Sequence, residues 1–491
     1  MNSPLLACIK LLSASVLLSV SSHLSATDTL PVAVDNSTSD YFPPVINQIG
    51  GSCAQASGIG YMFTYEMNRL LKRSAKDSDE HRYSYLFVWN LLNDGVDTGG
   101  FVDEGLNLTR LYGVMSEHDY GKSSWTSYRW ASGYDKYFRA LHNRTEHFYS
   151  FNCETDADVQ RIKQYLYNKG VEGAAGGILT FSTYSSNWRI DTSYQGPSET
   201  GYHALLTRLA TEGSHALTIA GYDDRVVSTD ASGRQREGAF IVVNSWGEGW
   251  GDHGRFYLPY HLFTDRDKRI GDSYLSGSMT GVDVMQHSPK VVFRIRLKYS
   301  SRDDLAFVMG AAGQYTATTP SDRHDDYVFH HKGGDHRMKG AQSSFDDFEF
   351  ALDYTNHLPL RNGERQPLPK YFLNILRNNK GKKLGEGTVE ELSVIDYTHT
   401  ESPREYFCRQ CDGQSLRQGS NWFAIPARYW GRYSASPVPW RDEEGMPLTR
   451  TFVLRTAHGR YAKLRFTGYD NDTQRVTFDY AIQNNGSRSF Q

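Results

Sequence analysis

Cysteine is scarce in this chain. The sequence has 491 residues and 5 cysteines, and those that follow the N-terminal segment are Cys53, Cys153, Cys408 and Cys411. A chain of this length buries enough apolar surface to fold without a disulfide framework, which excludes the class of small disulfide-stapled domains. Each cysteine therefore needs its own explanation.

A strong excess of either charge is also missing. The formal net charge is -3, from 53 basic and 56 acidic residues, and both signs are mixed along the chain. Binding to nucleic acid or to an anionic membrane surface depends on concentrated basic charge. We therefore expect no nucleic-acid partner and no electrostatic attachment to membranes.

Long apolar runs are absent beyond the N-terminus. One such run covers about residues 11–20 behind Lys10, and small residues with a plausible cleavage site after Ala26 follow it. This pattern predicts a signal peptide over residues 1–26, too short to span a membrane stably. We expect an exported protein, in the periplasm, at the cell surface or secreted. An alternative reads Leu5–Cys8 as a lipoprotein box, although the apolar run there lies after the cysteine.

The stretch NQIGGSCAQASGIG, residues 47–60, places Cys53 at the start of a predicted helix. Apolar residues recur at helical spacing from Cys53 to about Leu71, which is typical of a helix with one buried face. Ser52 and Gln55 fit the capping-box pattern. In the first turn, unpaired backbone N–H groups are expected to lower the pKa of the Cys53 thiol. Position alone does not decide against a cysteine that is simply buried.

A candidate base and its orienting partner lie farther along the chain. His215 opens an apolar strand over residues 216–222, and a second strand over residues 239–243 ends at Asn244. The polar turn between the strands predicts an antiparallel hairpin that places His215 beside Asn244. An asparagine oxygen can hold an imidazole in one tautomer, which leaves the other nitrogen to exchange a proton with a cysteine.

Four segments, in the same chain order, resemble the motifs of papain-like cysteine peptidases. They are NQIGGSCAQAS for the nucleophile, DTGGFVDEGLNLTRLYGV for the substrate cleft, SHALTIAGYDD for the histidine and NSWGEGWGDHGRFYL for the asparagine. The resemblance covers about residues 40–262. It implies an α+β fold in which a helical lobe and a β-barrel-like lobe flank the cleft. It also implies peptide hydrolysis through a thioester, with no metal and no other cofactor.

The resemblance implies a role for each site residue. Cys53 would be the nucleophile, His215 the general acid and base, and Asn244 the residue that orients His215. Gln48 would donate to the oxyanion together with the backbone N–H of Cys53. Trp246 would shield the hydrogen bond between His215 and Asn244 from water.

The cleft motif implies binding residues as well. Gly99 and Gly100 would let the substrate backbone approach, because a side chain there would obstruct it, and Phe101 would border the pocket for a substrate side chain. The loop from Gln48 to Cys53 is one residue shorter than is usual in the family. We therefore expect a tighter loop before the nucleophile.

The resemblance ends after about residue 262, and strand patterns follow. KVVFRIRLKYS alternates apolar with basic residues and predicts a half-exposed strand with Arg294 and Arg296 facing solvent. Further strand candidates are separated mostly by Gly, Asn or Asp. We predict a peptidase domain over residues 27–284 and an antiparallel β-sandwich-like accessory domain over residues 285–491.

A histidine-rich segment, DRHDDYVFHHKGGDHRMKG, lies in this second half. Its histidines are His324, His330, His331 and His336. Their spacing matches no metal site, and a solvated loop is the preferred interpretation. Cys408 and Cys411 would supply only two of the four ligands that zinc requires, so we expect either a local disulfide or two free thiols there.

The expected function is that of an exported cysteine peptidase acting on proteins or peptides. Endopeptidase action is favoured because no segment obviously fills one end of the cleft. Two alternatives stay open. The same cysteine and histidine could perform acyl transfer or amide hydrolysis on another substrate, or the chain could be chiefly a surface binding protein whose β-rich half captures a ligand. The oligomeric state is not indicated.

Overall fold

A computed structural model describes most of the chain. The described residues are 30–121, 128–197, 200–265, 273–340, 347–378, 385–398, 403–408, 411, 413–427, 430–432, 451–455, 461–470 and 475–483. The predicted signal peptide, residues 1–26, lies outside them. Within the described ranges, no helix combines the length and the apolar character needed to cross a membrane.

A helical lobe surrounds the segment that begins at Cys53. Its helices are α1 (Cys53–Gln55), α2 (Thr64–Leu71), α3 (Tyr85–Leu92), α4 (Val102–Tyr112), α5 (Glu117–Tyr120) and α6 (Tyr134–Leu141). A fully buried π-helical segment, Ala56–Phe63, joins α1 to α2. The helix predicted from Cys53 to Leu71 is therefore confirmed, with a wider turn in its middle.

The capping box predicted at the start of this helix is wrong. The Ser52 hydroxyl donates to the Ile49 carbonyl at 2.6 Å and does not cap the helix. The Gln55 amide donates to the Phe101 carbonyl at 2.9 Å. The tight turn before Cys53 occupies the serine, so tertiary contacts rather than a local cap position the helix start.

A large sheet forms the second lobe. Its strands are β1 (Ala33–Asp35), β2 (Asn143–Asn152), β3 (Leu179–Tyr184), β4 (Arg189–Asp191), β5 (Leu205–Arg208), β6 (Ser214–Thr229), β7 (Gln235–Val243), β8 (Arg255–Pro259) and β9 (Ser278–Gln286), with helices α7 (Asp156–Asn168) and α8 (His261–Thr264). The order is β2-β9-β3-β6-β7-β8-β5-β4, with β1 on β6. The pairs are antiparallel except β5 with β8. The predicted hairpin is β6–β7, and the α+β class is confirmed for this half of the chain.

The second half of the chain is built from antiparallel strands. They are β10 (Val291–Tyr299), β11 (Leu305–Ala312), β12 (Asp322–His330), β13 (Phe348–Asp353), β14 (Leu360–Arg361), β15 (Glu364–Arg365), β16 (Lys370–Arg377), β17 (Gly387–Asp396), β18 (Arg404–Phe407), β19 (Gln414–Ser415), β20 (Gly419–Pro426), β21 (Trp430–Arg432), β22 (Thr451–Arg455), β23 (Tyr461–Asp470) and β24 (Arg475–Gln483). The main sheets are β13-β10-β17-β18-β21 and β12-β11-β16-β20. Phe307 of one sheet packs on Phe350 of the other, with ring centroids 5.2 Å apart. The histidine-rich segment, predicted as a loop, thus begins as strand β12.

Strand β10 is not half exposed as predicted. Arg294 is only 8% exposed, and its guanidinium lies 2.6 Å from Glu349 and 3.5 Å from Glu405. It also lies over the ring of Tyr134 in α6, 5.3 Å from the centroid. The prediction was wrong because alternation distinguishes two faces of a strand but does not reveal that a helix covers the polar one.

The helical lobe and the β-rich half share one apolar core. Trp130 and Tyr137 pack against Phe329, with ring centroids 5.3 and 6.4 Å away. A buried ion pair at 2.5 Å joins Arg144 of β2 in the large sheet to Asp353 of β13 in the β-rich half. The domain boundary predicted at residue 284 falls within β9, and apolar contacts continue from one side of it to the other.

Candidate active site

Cys53 and His215 line the same open cavity between the helical lobe and the large sheet. The cavity measures about 800 Å³, and Gly99, Gly100 and Phe101 also line it. Cys53 begins α1, and His215 is the second residue of β6. The packing of the two lobes therefore brings Cys53 and His215 to one cavity, although they lie 162 positions apart in sequence.

The β6–β7 hairpin places Asn244 beside His215. Val243 pairs with Thr218, so Asn244 follows directly at the end of the ladder. The Asn244 side-chain oxygen lies 2.8 Å from Nε2 of His215, and it also accepts the Ser245 backbone N–H at 2.7 Å. Because that N–H requires an acceptor, the oxygen faces His215, and Nε2 carries the proton. Nδ1 is then the nitrogen that can accept a proton from a thiol.

An aromatic wall covers the histidine. Trp246 stacks on the His215 ring, with centroids 4.6 Å apart and an interplanar angle of 25°. Trp188 lies 5.6 Å from Trp246 and Trp250 lies 5.3 Å from it, measured between ring centroids. Sequence reasoning missed Trp188, which lies between two strands in a polar stretch that carries no motif. Together the rings keep water away from the hydrogen bond that orients His215.

Both ends of the Gln48 side-chain amide form hydrogen bonds within the protein. Its amide nitrogen donates to the Gly50 carbonyl at 2.8 Å, and its amide oxygen accepts the Ser245 hydroxyl at 2.6 Å. The short loop before Cys53 folds the amide back onto Gly50. The Gln48 amide nitrogen has a second N–H, which is the one that donation to an oxyanion would use.

Burial has the largest effect on the pKa values of Cys53 and His215. It raises the pKa of the Cys53 thiol, although the backbone N–H groups of Ala216, Ala54 and Cys53 act in the opposite direction. Burial likewise lowers the pKa of His215 to about 4, against the effect of the Asn244 hydrogen bond. The prediction that the Cys53 pKa is lowered is wrong. The free-energy cost of taking a thiolate out of water exceeds the stabilisation that the backbone N–H groups at the helix start provide.

A carboxylate joins the nucleophile loop to the glycine-bearing segment. The Gly51 N–H donates to Asp97 at 2.7 Å, and a Cβ at Gly51 would lie 2.8 Å from the Thr98 carbonyl carbon. Only glycine permits this approach. Asp97 belongs to the cleft motif, but nothing in its residue type indicated this contact.

The described residues contain no group of three or more histidine, cysteine, aspartate or glutamate side chains placed to hold a metal ion. His324 instead stacks on His357, with ring centroids 3.6 Å apart. Cys408 and Cys411 form a disulfide, which is one of the two predicted alternatives. Cys153 is fully buried.

No family model matches the chain. An uncharacterized peptidase C1-like protein of Acanthamoeba polyphaga mimivirus is 22% identical over 225 residues, which are 44% of this chain and 64% of the viral protein. The chain thus spans less than two thirds of that relative.

Solved structures that resemble the chain include cysteine proteases. Xylellain from Xylella fastidiosa is 17% identical, with a TM-score of 0.35 over 52% of this chain and 86% of that one. The bromelain protease from Ananas comosus is 15% identical, with a TM-score of 0.35 over 52% and 99% of the two chains. The procathepsin L2 proteinase from Tenebrio molitor is 20% identical, with a TM-score of 0.35 over 53% and 70%. The resemblance to papain-like cysteine peptidases that the sequence motifs carry is confirmed by the similarity to the viral peptidase C1-like protein.

Proposed function

We propose that this protein hydrolyses peptide bonds, with Cys53 as nucleophile, His215 as general acid and base, and Asn244 as the residue that orients His215. The observation that carries the proposal is the hydrogen bond between His215 and Asn244 at the edge of the open cavity that Cys53 lines. A nucleophile, a base and an orienting group are thereby assembled at one place.

The proposed reaction starts with proton transfer from Cys53 to Nδ1 of His215. The thiolate attacks the peptide carbonyl carbon, and the C–N bond breaks as His215 returns the proton to the leaving amine. Water then loses a proton to His215 and hydrolyses the thioester on Cys53. The backbone N–H of Cys53 is proposed to hold the oxyanion together with the second N–H of the Gln48 amide. The scheme uses no cofactor.

Proteins and peptides are the proposed substrates. A Cβ at Gly99 would meet no atom within 4 Å, so a substrate backbone has room beside the Gly99–Gly100 pair. Phe101 is 70% exposed and borders the same cavity, where it offers an apolar surface to a substrate side chain. The open shape of the cavity supports cleavage inside a polypeptide, and we propose an endopeptidase.

We also propose that the protein is exported. The support is the predicted signal peptide over residues 1–26, which lies outside the described residues. Mass spectrometry of the protein expressed with its own leader should find a mature N-terminus at Thr27. A mature chain that keeps Met1 and stays inside the cell would contradict export.

The proposed activity is tested with a biotinylated epoxysuccinyl probe and a library of end-blocked peptides under reducing conditions. Cys153→Ala is the matched control for Cys53→Ala, because it removes the thiol of a buried cysteine that does not line the cavity. We expect wild type and Cys153→Ala to be labelled and to cleave, and Cys53→Ala to do neither. Products of aminolysis instead of hydrolysis would support the acyl-transfer alternative. Absence of both labelling and cleavage would support a binding protein.

A further inference from the structure

The segment that carries the glycine pair of the cleft is held by the β-rich half of the chain. Residues 96–100 are exposed, whereas Gly95 at their base is buried. The Gly333 N–H donates to the Asp94 carboxylate at 2.9 Å, and Nε2 of His336 lies 3.4 Å from the Gly95 carbonyl oxygen. Gly333 and His336 belong to the turn that follows β12.

The segment at Asp94 and Gly95 and the turn at residues 333–336 pack together without space for further atoms. A Cβ at Gly95 would lie 2.4 Å from Cδ2 of His336, and a Cβ at Gly334 would lie 2.1 Å from the Asp94 carbonyl oxygen. Packing this close is possible because Gly95 and Gly334 carry no side chain. The interface between segment 93–100 and the 333–336 turn is therefore specific to this pair of surfaces.

The base of the segment has a backbone conformation that needs support. Asp94 has a φ of 52° and Gly95 a φ of 79°. A left-handed conformation is unfavourable for a non-glycine residue, and it persists where surrounding contacts impose it. At Asp94 that contact is the Gly333 N–H, and at Gly95 it is the Asn93 side-chain oxygen, which accepts the Gly95 N–H at 2.9 Å.

The 333–336 turn is itself firmly anchored. Nε of Arg302 donates to the Gly333 carbonyl at 2.7 Å, and the Arg302 backbone N–H donates to the His336 carbonyl at 2.9 Å. The Arg302 guanidinium lies over the ring of Trp130, 4.1 Å from its centroid, and the residue is 1% exposed. The turn is thus a rigid support rather than a loosely attached loop.

We propose that residues 333–336 are a positioning element for the substrate cleft. They hold Asp94 and Gly95, and through them they hold Gly99 and Gly100 where a peptide backbone binds. This assigns the β-rich half a part in substrate binding by the other half. The inference rests on the proposed peptidase function.

The test uses the full chain with Asp94→Ala and, separately, His336→Ala. His330→Ala is the matched control, because His330 is an exposed histidine at the end of β12. We expect KM for an end-blocked peptide to rise about tenfold in both variants. The rate of Cys53 alkylation by iodoacetamide should fall less than KM rises, because the segment is coupled to the nucleophile loop through the bond between Asp97 and Gly51 rather than to Cys53 itself. His330→Ala should behave as wild type in both assays.

Hydrogen exchange of the substrate-free protein provides a readout that does not depend on activity. Amides of residues 95–100 should exchange about tenfold faster in Asp94→Ala, with no change in the helix that begins at Cys53. Wild-type KM and wild-type exchange in both variants would overturn the proposal and leave the peptidase function intact. Equal losses in peptide cleavage and in alkylation would also overturn it, since they indicate general destabilisation. If wild type cleaves no peptide, the proposed function fails, and the exchange result alone decides whether the turn positions the segment.

Discussion

His215 and Asn244 are joined by one hydrogen bond of 2.8 Å between the beginning of β6 and the end of β7. The same asparagine oxygen accepts the Ser245 N–H, so the amide cannot rotate without losing both bonds. Trp246 closes the side that would otherwise face water. The hairpin thereby presents Nδ1 of His215, in a defined tautomer, to the cavity that Cys53 lines.

Asn244→Ala should lower kcat/KM about 100-fold, because residues that orient a catalytic group typically contribute one to two orders of magnitude. The imidazole would still be present, but without the oxygen that selects its tautomer. Steady-state kinetics on one end-blocked peptide measures the effect, with the active enzyme counted by titration with an irreversible inhibitor. An unchanged kcat/KM would contradict the orienting role.

Stability should depend on pH through His215. The pKa of His215 is lowered to about 4 in the folded protein, against about 6.5 in an unfolded chain. Between these values the unfolded state binds a proton that the folded state does not bind. The free energy of unfolding should therefore rise by about 3 kcal/mol from pH 4 to pH 7. Urea unfolding of wild type and His215→Gln at several pH values isolates this contribution, and identical pH profiles would contradict the burial of a neutral histidine.

Asp353→Ala should destabilise the protein by about 3–5 kcal/mol, because it leaves the Arg144 guanidinium buried without its carboxylate. The side chains of the pair are 3% and 4% exposed. The control is Asp479→Ala, whose pair with Arg465 is 65% and 56% exposed, and which should cost at most about 1 kcal/mol. Urea unfolding followed by two probes, one in each half, should show one shared transition. Two separate transitions would mean that the halves fold independently.

Gly99→Val should raise KM for extended peptides about tenfold without changing Tm, because a side chain there meets substrate rather than protein. Neither Gly99 nor Gly249 has a left-handed φ, and a Cβ at either would meet nothing within 4 Å. Gly249→Val, outside the cavity, is therefore a matched control and should leave KM unchanged. Equal KM values for both variants would argue against backbone pairing at Gly99.

Asp97→Ala should slow epoxysuccinyl labelling of Cys53 about tenfold, because the loop before the nucleophile loses the acceptor of the Gly51 N–H. Asp97→Asn keeps an oxygen at that position and should label at nearly the wild-type rate. The labelled fraction over time, measured by intact mass, distinguishes the two. Equal slowing of both variants would show that the negative charge, rather than the hydrogen bond, is what matters.

Several features of the site could be predicted from the local pattern of apolar and polar residues. The hairpin of β6 and β7 follows from apolar runs around a polar turn, and the helix from Cys53 to Leu71 follows from apolar spacing. Trp188 could not be predicted, because its position beside Trp246 depends on how distant strands pack. The contact of Asp97 with Gly51 could not be predicted either, since an exposed aspartate has many acceptable partners.

The sequence by itself determined the residue types available for chemistry, their order along the chain and the elements that carry them. Those properties depend on local spacing and on covalent identity. Tertiary structure alone decided that the Gln48 amide donates a hydrogen bond to Gly50 and that Arg294 is buried beneath α6. It also decided that burial affects the pKa of Cys53 more than the N–H groups of the helix start do. Each of these outcomes depends on which groups are removed from water together, and that is settled only when segments distant in sequence pack against one another.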